Sequence, residues 1–459
     1  MMILALSEIA RMVGGYVEGP DAIAEGVSTD TRSLRHGQLF VALSGERHDG
    51  HAFVDDALPA AGVMVNRALP TRLGQVVVDD TRLALGRLAQ AWRAQMPAKV
   101  IALTGSNGKT TVKEMLAAIA RESGPVLATR GNLNNDIGVP LTLLQMSRHH
   151  RLAVVEMGAN HAGEIACLTA LACPDVALIT NAGPAHLEGF GSIEGVARAK
   201  GEIFQGLRAD GVAVINADDA YADYWRTLNR GRRIITFGLE RPADVSGVWE
   251  VPNRLSLRLA GEERHLSLAF AGRHNAMNAL AAAAASLAAE IPVDAILGGL
   301  ARVHPVSGRL TPLPGLNGAR LLDDSYNANP ASTLAALDVL ATCPGERCVV
   351  LGDMGELGDE AGALHAQVGR RARELGIERF LATGPLSVQA VQAFGEGGRH
   401  FEDCASLIGA LGPALHPDMT VLVKGSRSQR MERVVQALQA GHHHNNHNAG
   451  GDAHAAQSR

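Results

Sequence analysis

From Lys99 onward, short apolar runs alternate with stretches of helical period, and this alternation restricts the fold more than any other feature. The runs are Val100–Leu103, Leu152–Met157, Val176–Thr180, Val212–Asn216 and Ile234–Phe237. A strand buried on both faces reads as a continuous apolar run, and its parallel neighbour must be reached through a crossover helix. The pattern therefore predicts an α/β fold with a mostly parallel sheet. Leu255, Leu257 and Leu259 alternate with polar residues, as do Leu266, Leu268 and Phe270, which predicts an antiparallel hairpin turning at Gly261-Glu262-Glu263. Helices are expected over Arg82–Met96, ended by Pro97, and over Asn275–Ala289. A second strand and helix series contains Arg320–Asp323, Cys348–Gly352, Arg379–Thr383 and Thr420–Lys424. It predicts a Rossmann-like domain without the GxGxxG fingerprint. The Pro/Gly-rich stretch Thr311–Gly315 reads as a linker before it.

These shifts divide the 459 residues into 1–98, 99–312, 313–440 and a His/Asn-rich tail over 441–459. The first segment mixes short strands and loops, with a buried strand in Gly37–Leu43. The tail has too few apolar residues to build a core and reads as disordered. A net charge of -5 and 3% aromatic residues leave neither a basic field nor stacking platforms, so no nucleic-acid partner is expected. The five cysteines form no CxxC pair, which reads as buried thiols in a reducing compartment. The N-terminus lacks the charged start and sustained apolar core of a signal peptide. The longest apolar run, around Ala279–Ala289, falls short of the ~20 residues a membrane span needs. A cytoplasmic location and a monomeric state are the default expectations.

Gly105-Ser106-Asn107-Gly108-Lys109-Thr110-Thr111 follows a predicted strand and opens a helix. Glycines let backbone N–H groups approach phosphate oxygens, and a helix N-terminus adds a favourable dipole. Lys109 would neutralise β/γ-phosphate charge, and the Thr110 hydroxyl would ligate Mg²⁺. The loop is shorter than the usual P-loop, because Leu103 stands where the first glycine is expected. A glycine turn beside an exposed lysine is the alternative. Glu156 ends a predicted strand, where an open α/β sheet places its ligands, and its carboxylate can hold Mg²⁺ or be an ordinary strand-end acid. Spacing alone gives His186 no metal role, because Mg²⁺ prefers oxygen. Spacing alone makes Lys200 a solvated helix residue. Arg309 follows a loop from which it reaches either phosphate or solvent.

Several further segments complete a pattern. They are Asp30-Thr31-Arg32, Asp49-Gly50-His51, Asn132–Pro140, Glu156-Met157-Gly158, Asn181–His186, Ala199–Glu202, Gly272–Asn275 with Asn278, Gly308-Arg309, Asp323–Pro330, Leu351–Gly358 and Lys424–Arg427. Together with the phosphate loop they resemble the Mur ligases over residues 1–440. The resemblance implies three domains: an N-terminal domain for a UDP-linked substrate, a central ATPase domain and a C-terminal Rossmann-like domain. It implies ATP and two Mg²⁺ as cofactors, with Glu156 and His186 as metal ligands and Lys200 as a carbamylated lysine. It places Asn275 and Asn278 near adenine, and Arg309 and Asp324 on phosphate and ribose. It assigns substrate contacts to Ser28, Thr31, Arg32, Asn135, Asn327, Asn329 and Arg427. The segment Asp324–Pro330 is similar to that of the family's dipeptide-adding members. The substrates implied are UDP-N-acetylmuramoyl-tripeptide and D-alanyl-D-alanine, joined through an acyl phosphate and a tetrahedral intermediate. Addition of a single amino acid at an earlier step is the alternative within the family. A P-loop ATPase switch without an acceptor is the alternative outside it.

Overall fold

The computed structural model describes residues 1–45, 48–185, 187–251 and 253–441. His186 and the His/Asn-rich tail beyond Gly441 lie outside them. The chain forms two compact units. The first comprises Met1–Val306, Asn329–Thr342 and Gly355–Leu364; the second comprises Ser307–Ala328, Cys343–Met354 and the chain from His365 on.

The first unit is built on a nine-stranded sheet. Its spatial order is Glu262–Ser267, Arg254–Leu259, Val245–Glu250, Arg233–Gly238, Val212–Asn216, Val176–Ile179, Lys99–Thr104, Leu152–Glu156 and Val126–Ala128. Every neighbouring pair from Val245–Glu250 to Val126–Ala128 is parallel, and the two pairings at the Glu262 end are antiparallel. The chain leaves Lys99–Thr104 toward one edge and later returns to its other side at Val176–Ile179. The order therefore reverses beside Lys99–Thr104, where an open sheet leaves a crevice at its C-terminal ends.

Both faces of this sheet are covered. One face packs on Lys109–Arg121 and Arg273–Ala288. The latter helix is buried almost all round through alanines 276, 279 and 281–285, whose small side chains let it approach the sheet and the neighbouring helix closely. The other face shares a continuous core with the N-terminal residues, from Met2, Leu6 and Ile9 through Leu85, Leu88 and Trp92 to Val155, Ile179 and Trp225. Trp92 donates its indole N–H to the Met146 carbonyl at 3.0 Å, so burial leaves no polar atom unpaired there. The N-terminal residues add a five-stranded sheet and a two-stranded ribbon. Asp80 caps the helix Thr81–Ala94 by accepting from the Arg82 and Leu83 amides.

The second unit carries a six-stranded sheet in the order Thr311–Pro314, Arg320–Asp324, Met419–Lys424, Glu346–Gly352, Arg379–Thr383 and Gly398–Phe401. All pairs are parallel except the first.

The mostly parallel α/β architecture expected from the apolar runs is present. Four details differ. Thr311–Pro314 is an antiparallel edge strand rather than a linker. Pro312 and Pro314 are tolerated because an edge strand needs only one side of its backbone for pairing. The hairpin turns at Ala260 and Gly261, with φ +52° and +83°, so Glu262 and Glu263 join the second strand. Val245–Glu250 and Gly398–Phe401 are strands without an apolar run, because one is half-exposed and the other is a short edge. The thiols are not uniformly buried: Cys167 and Cys173 are exposed, and only Cys348 is enclosed. Cys167 lies toward solvent on Glu164–Ala172, Cys173 ends that helix, and burial pushes the Cys348 thiol up to about 12. Among the described residues no helix is long and apolar enough to cross a membrane.

Enlarging the alanine contact tests this packing. Ala282→Leu is expected to overfill it and lower the unfolding free energy by about 1–3 kcal/mol. Urea melts would read the change as a lower midpoint at unchanged slope.

Candidate active site

The loop after Lys99–Thr104 is shaped by two close approaches. Gly105 has φ +151°, and a Cβ there would lie 1.9 Å from the Thr180 hydroxyl oxygen. Gly108 has φ +79°, and a Cβ there would lie 2.2 Å from Asn278 Oδ1. Glycine is thus required for sterics as well as for backbone conformation. The following segment staples the loop from the neighbouring strand end. Ser106 N–H donates to Asn181 O at 3.0 Å, and Asn107 N–H donates to Asn181 Oδ1 at 3.0 Å. The Thr180 hydroxyl donates to Asn107 O at 2.6 Å. Gly108 then caps Lys109–Arg121 without a side-chain partner, so the helix start points into the crevice with its dipole exposed to a ligand. Lys109 Nζ donates to Gly105 O at 2.6 Å, and Thr110 and Thr111 are buried.

Asn275 and Asn278 lie in the first turns of Arg273–Ala288. Asn278 donates to Asn275 Oδ1 at 3.1 Å, and Asn275 donates to Ala271 O at 2.8 Å. Asn278 meets the loop directly at Gly108. Asn329 donates to Asn107 Oδ1 at 2.8 Å and also caps Pro330–Ala341.

Glu156 ends the strand beside the loop and is 2% exposed. Its Oε1 accepts from Asn134 Nδ2 at 2.8 Å, whereas Oε2 has no hydrogen-bond partner. Asn134 is seated against Gly158, where a Cβ would come within 2.9 Å of its amide oxygen. A buried carboxylate oxygen without a donor suits a hard cation. Among the described residues it belongs to no group of three His, Cys, Asp or Glu side chains. A cation there would complete its shell with hydroxyl, phosphate and water oxygens, which is the habit of Mg²⁺.

Lys200 is 1% exposed, and its Nζ stands 5.3 Å from the centre of the Phe190 ring. Burial, reinforced by repulsion from Lys109 and opposed by Glu164 and Glu202, brings its ammonium down to about 7. The solvated helix residue suggested by spacing is therefore not what the fold makes of it.

In the N-terminal residues, Ser28 is buried and bonded to Asp30, while Arg32 is exposed and paired bidentately with Asp30. That pairing holds the Asp30 carboxyl down to about 2. Thr31 opens the short turn that Asp30 caps. Asn135 Oδ1 accepts from the Gly138 amide at 2.9 Å and so starts the helix Gly138–Leu144.

The second unit brings four expected residues together by itself. Asp324 is buried and takes a 2.5 Å bond from Lys424 Nζ, which also donates to Asn327 O at 2.9 Å. Burial raises the Asp324 carboxyl and Lys424 opposes the rise. The guanidinium carbons of Arg309 and Arg427 lie 4.4 and 5.8 Å from the centre of the Tyr326 ring. Arg427 N–H donates to Asn327 Oδ1 at 3.3 Å. Sequence reasoning missed Lys113, and it gave no role to Asn134, Tyr326 and Lys424 although each lies in a segment it singled out. The signal for Lys113 was its place one turn beyond Lys109 on the same helix face.

A glycine-shaped phosphate loop at the reversal point of a parallel sheet, flanked by a buried open carboxylate, defines a P-loop nucleotide-binding α/β protein. Comparison narrows this. Residues 103–286 match the Mur ligase middle domain, and residues 308–427 match the Mur ligase, glutamate ligase domain. The chain belongs to the Mur ligase family. It is 46% identical to the UDP-N-acetylmuramoyl-tripeptide–D-alanyl-D-alanine ligase of Escherichia coli, over 96% of this chain and 99% of that one. The crystal structure of MurF from Acinetobacter baumannii is 36% identical and superposes with a TM-score of 0.90, covering 95% of this chain and 98% of that one. MurF ligase from Thermotoga maritima, solved in complex with ADP, is 27% identical with a TM-score of 0.80, covering 90% and 97%.

The lowered Lys200 value has a definite sign. A lysine whose folded value lies below its ordinary value of 10.5 binds fewer protons folded than unfolded between about 7 and 10.5. Stability from this group therefore rises with pH across that window, and its unfavourable contribution is complete below it. In CO₂-free buffer, where the side chain is the free amine, Lys200→Met is expected to flatten the rise and to be no less stable than wild type at pH 7, as read from urea melts at a series of pH values.

Proposed function

We propose that this protein uses ATP to join D-alanyl-D-alanine to UDP-N-acetylmuramoyl-tripeptide, releasing ADP and orthophosphate. The observation that carries this is near full-length identity of 46% with a ligase named for that reaction, combined with a phosphate loop shaped as the chemistry requires. Both substrates and the nucleotide are water-soluble, which suits action in the cytoplasm.

A free carboxylate is a poor acyl donor, because its leaving group would be oxide. Transfer of the γ-phosphoryl group to the carboxylate makes phosphate the leaving group. The amine of the dipeptide, in its neutral form, then adds to the acyl carbon to give a tetrahedral intermediate. Collapse of that intermediate forms the amide and expels phosphate. The first difficulty is repulsion between two anions, the carboxylate and the γ-phosphate. Lys109 and the N-terminus of Lys109–Arg121 offset that charge from one side. Glu156 and the Thr110 hydroxyl would hold Mg²⁺, which neutralises phosphate oxygens when bound. On this reading Asn275 and Asn278 serve adenine, and Arg309 and Asp324 serve phosphate and ribose. Ser28, Thr31, Arg32 and Asn135 hold the UDP-linked substrate, and Asn327, Asn329 and Arg427 receive the dipeptide.

Lys200 acts as a carbamate. At about 7 its amine is substantially neutral near physiological pH, so its lone pair is available to add to CO₂. The N–C bond forms, the nitrogen loses a proton to solvent, and the ammonium that would repel a cation becomes an anionic oxygen ligand. With His186 this would serve a second Mg²⁺.

Three measurements test the reading. Mass detection of a mixture of protein, ATP, Mg²⁺, UDP-tripeptide and D-Ala-D-Ala is expected to show the pentapeptide with ADP in equal amounts. Full-rate phosphate release without either peptide substrate would instead indicate an ATPase switch. Lys109→Ala is expected to slow phosphate release by at least about 100-fold while binding of the UDP-substrate is kept. Lys200→Ala is expected to lose activity and regain part of it in added acetate; loss without any regain would count against the carbamate.

A further inference from the structure

We propose that Lys113 is a positioning residue for the cation site at Glu156, neutralising the carboxylate at ion-pair range while leaving one of its oxygens open. The inference rests on the reading of Glu156 as a cation ligand. Lys113 falls one helical turn beyond Lys109, where a surface lysine would be unremarked. Here it is 1% exposed, against a carboxylate that is itself almost fully enclosed. Two buried opposite charges are tolerated only when each compensates the other and their remaining bonds are met.

The way those bonds are met is uneven. Glu156 is held on one side: Asn134 binds Oε1, and the Glu156 backbone N–H is tied to the Thr129 hydroxyl at 3.0 Å. On the other side, Lys113 Nζ stands 4.0 Å from Oε2, too far for a hydrogen bond. Its own hydrogen bond goes elsewhere, to Gly131 O at 3.3 Å, and it forms an ion pair with the carboxylate of the partly exposed Glu114 at 3.0 Å. Coulomb attraction falls only as the inverse of distance, whereas a hydrogen bond needs contact at about 3 Å. The lysine therefore supplies charge to Glu156 without occupying its lone pairs. A divalent cation reaching Oε2 has no hydrogen bond to break there. The same ammonium repels the cation, which keeps metal affinity low until an anionic ligand brings it in. Through Gly131 O, Lys113 also fastens the loop that carries Asn134, so the two supports of Glu156 are linked.

The test uses full-length wild type, Lys113→Met, Glu156→Gln and the double variant, without nucleotide. Thermal melts and Mn²⁺ binding followed by electron paramagnetic resonance are the readouts, and neither depends on activity. Lys113→Met leaves Glu156 uncompensated and is expected to lower the metal-free midpoint by about 4 °C or more. It is also expected to bind Mn²⁺ at least about 3-fold more tightly than wild type and to recover more stability from it. The double variant is expected to be more stable than the sum of the single effects predicts, with no Mn²⁺ response. Additive midpoints, with Mn²⁺ affinity unchanged or weakened by Lys113→Met while still lost in Glu156→Gln, would overturn the role of Lys113 alone. Retention of Mn²⁺ binding in Glu156→Gln would overturn the reading of Glu156 and the proposal with it. If Lys113→Met does not fold, Lys113→Gln carries the same comparison, since its amide can donate to Gly131 O without the charge.

Discussion

The fit between the phosphate loop and its neighbours is the constraint on which the site depends. Gly105 leaves room for the Thr180 hydroxyl, and Gly108 leaves room for Asn278. These contacts come from opposite sides, one from the adjoining strand end and one from the alanine-rich helix. Because the loop is pinned between rigid elements, its helix start is aimed before any ligand arrives. Preorganisation of this kind lets a donor set stabilise developing charge without reorganising at the moment of reaction. The alanines of Arg273–Ala288 matter to the chemistry for the same reason: they let that helix approach closely enough for Asn278 to reach the loop.

Charge is handled by burial as much as by contact. Glu156 and Lys113 share an enclosed space, Lys424 faces Asp324 across a short bond in the second unit, and Lys200 is enclosed near an aromatic ring and repelled by Lys109. Each case places an ionisable group where hydration cannot set its behaviour, so neighbours do. Lys113 and Lys424 stand within ion-pair range of a carboxylate, whereas Lys200, whose burial and repulsion by Lys109 outweigh Glu164 and Glu202, moves toward the neutral amine.

Much of this was legible in the chain itself, for physical reasons. Strands buried on both faces announce themselves as apolar runs, which is why Val212–Asn216 and Arg379–Thr383 were readable from end to end. The glycine-lysine loop was readable because few other sequences place glycines between a strand and a helix at that spacing. Strands that are half-exposed or short carry no such mark, and Val245–Glu250 passed unread. Proline misled at Thr311–Pro314, where an edge position removes its usual penalty. Buried lysines were the hardest case. Helical spacing made Lys200 a solvated residue and gave Lys113 no mark, and only the assembled fold shows that both are enclosed. The expected roles of Asn275 and Asn327 came from family resemblance, and the loop before Arg309 left that residue between phosphate and solvent.

The central claim is that ATP is spent to make an inert carboxylate reactive by phosphorylating it. Transfer of oxygen tests this directly. With oxygen-18 in the terminal acceptor carboxylate of the UDP-tripeptide, one labelled oxygen is expected in each orthophosphate released as pentapeptide forms. Phosphate carrying no label in a mixture that still makes pentapeptide would contradict the account, because the bond between carboxylate oxygen and phosphorus would never have formed.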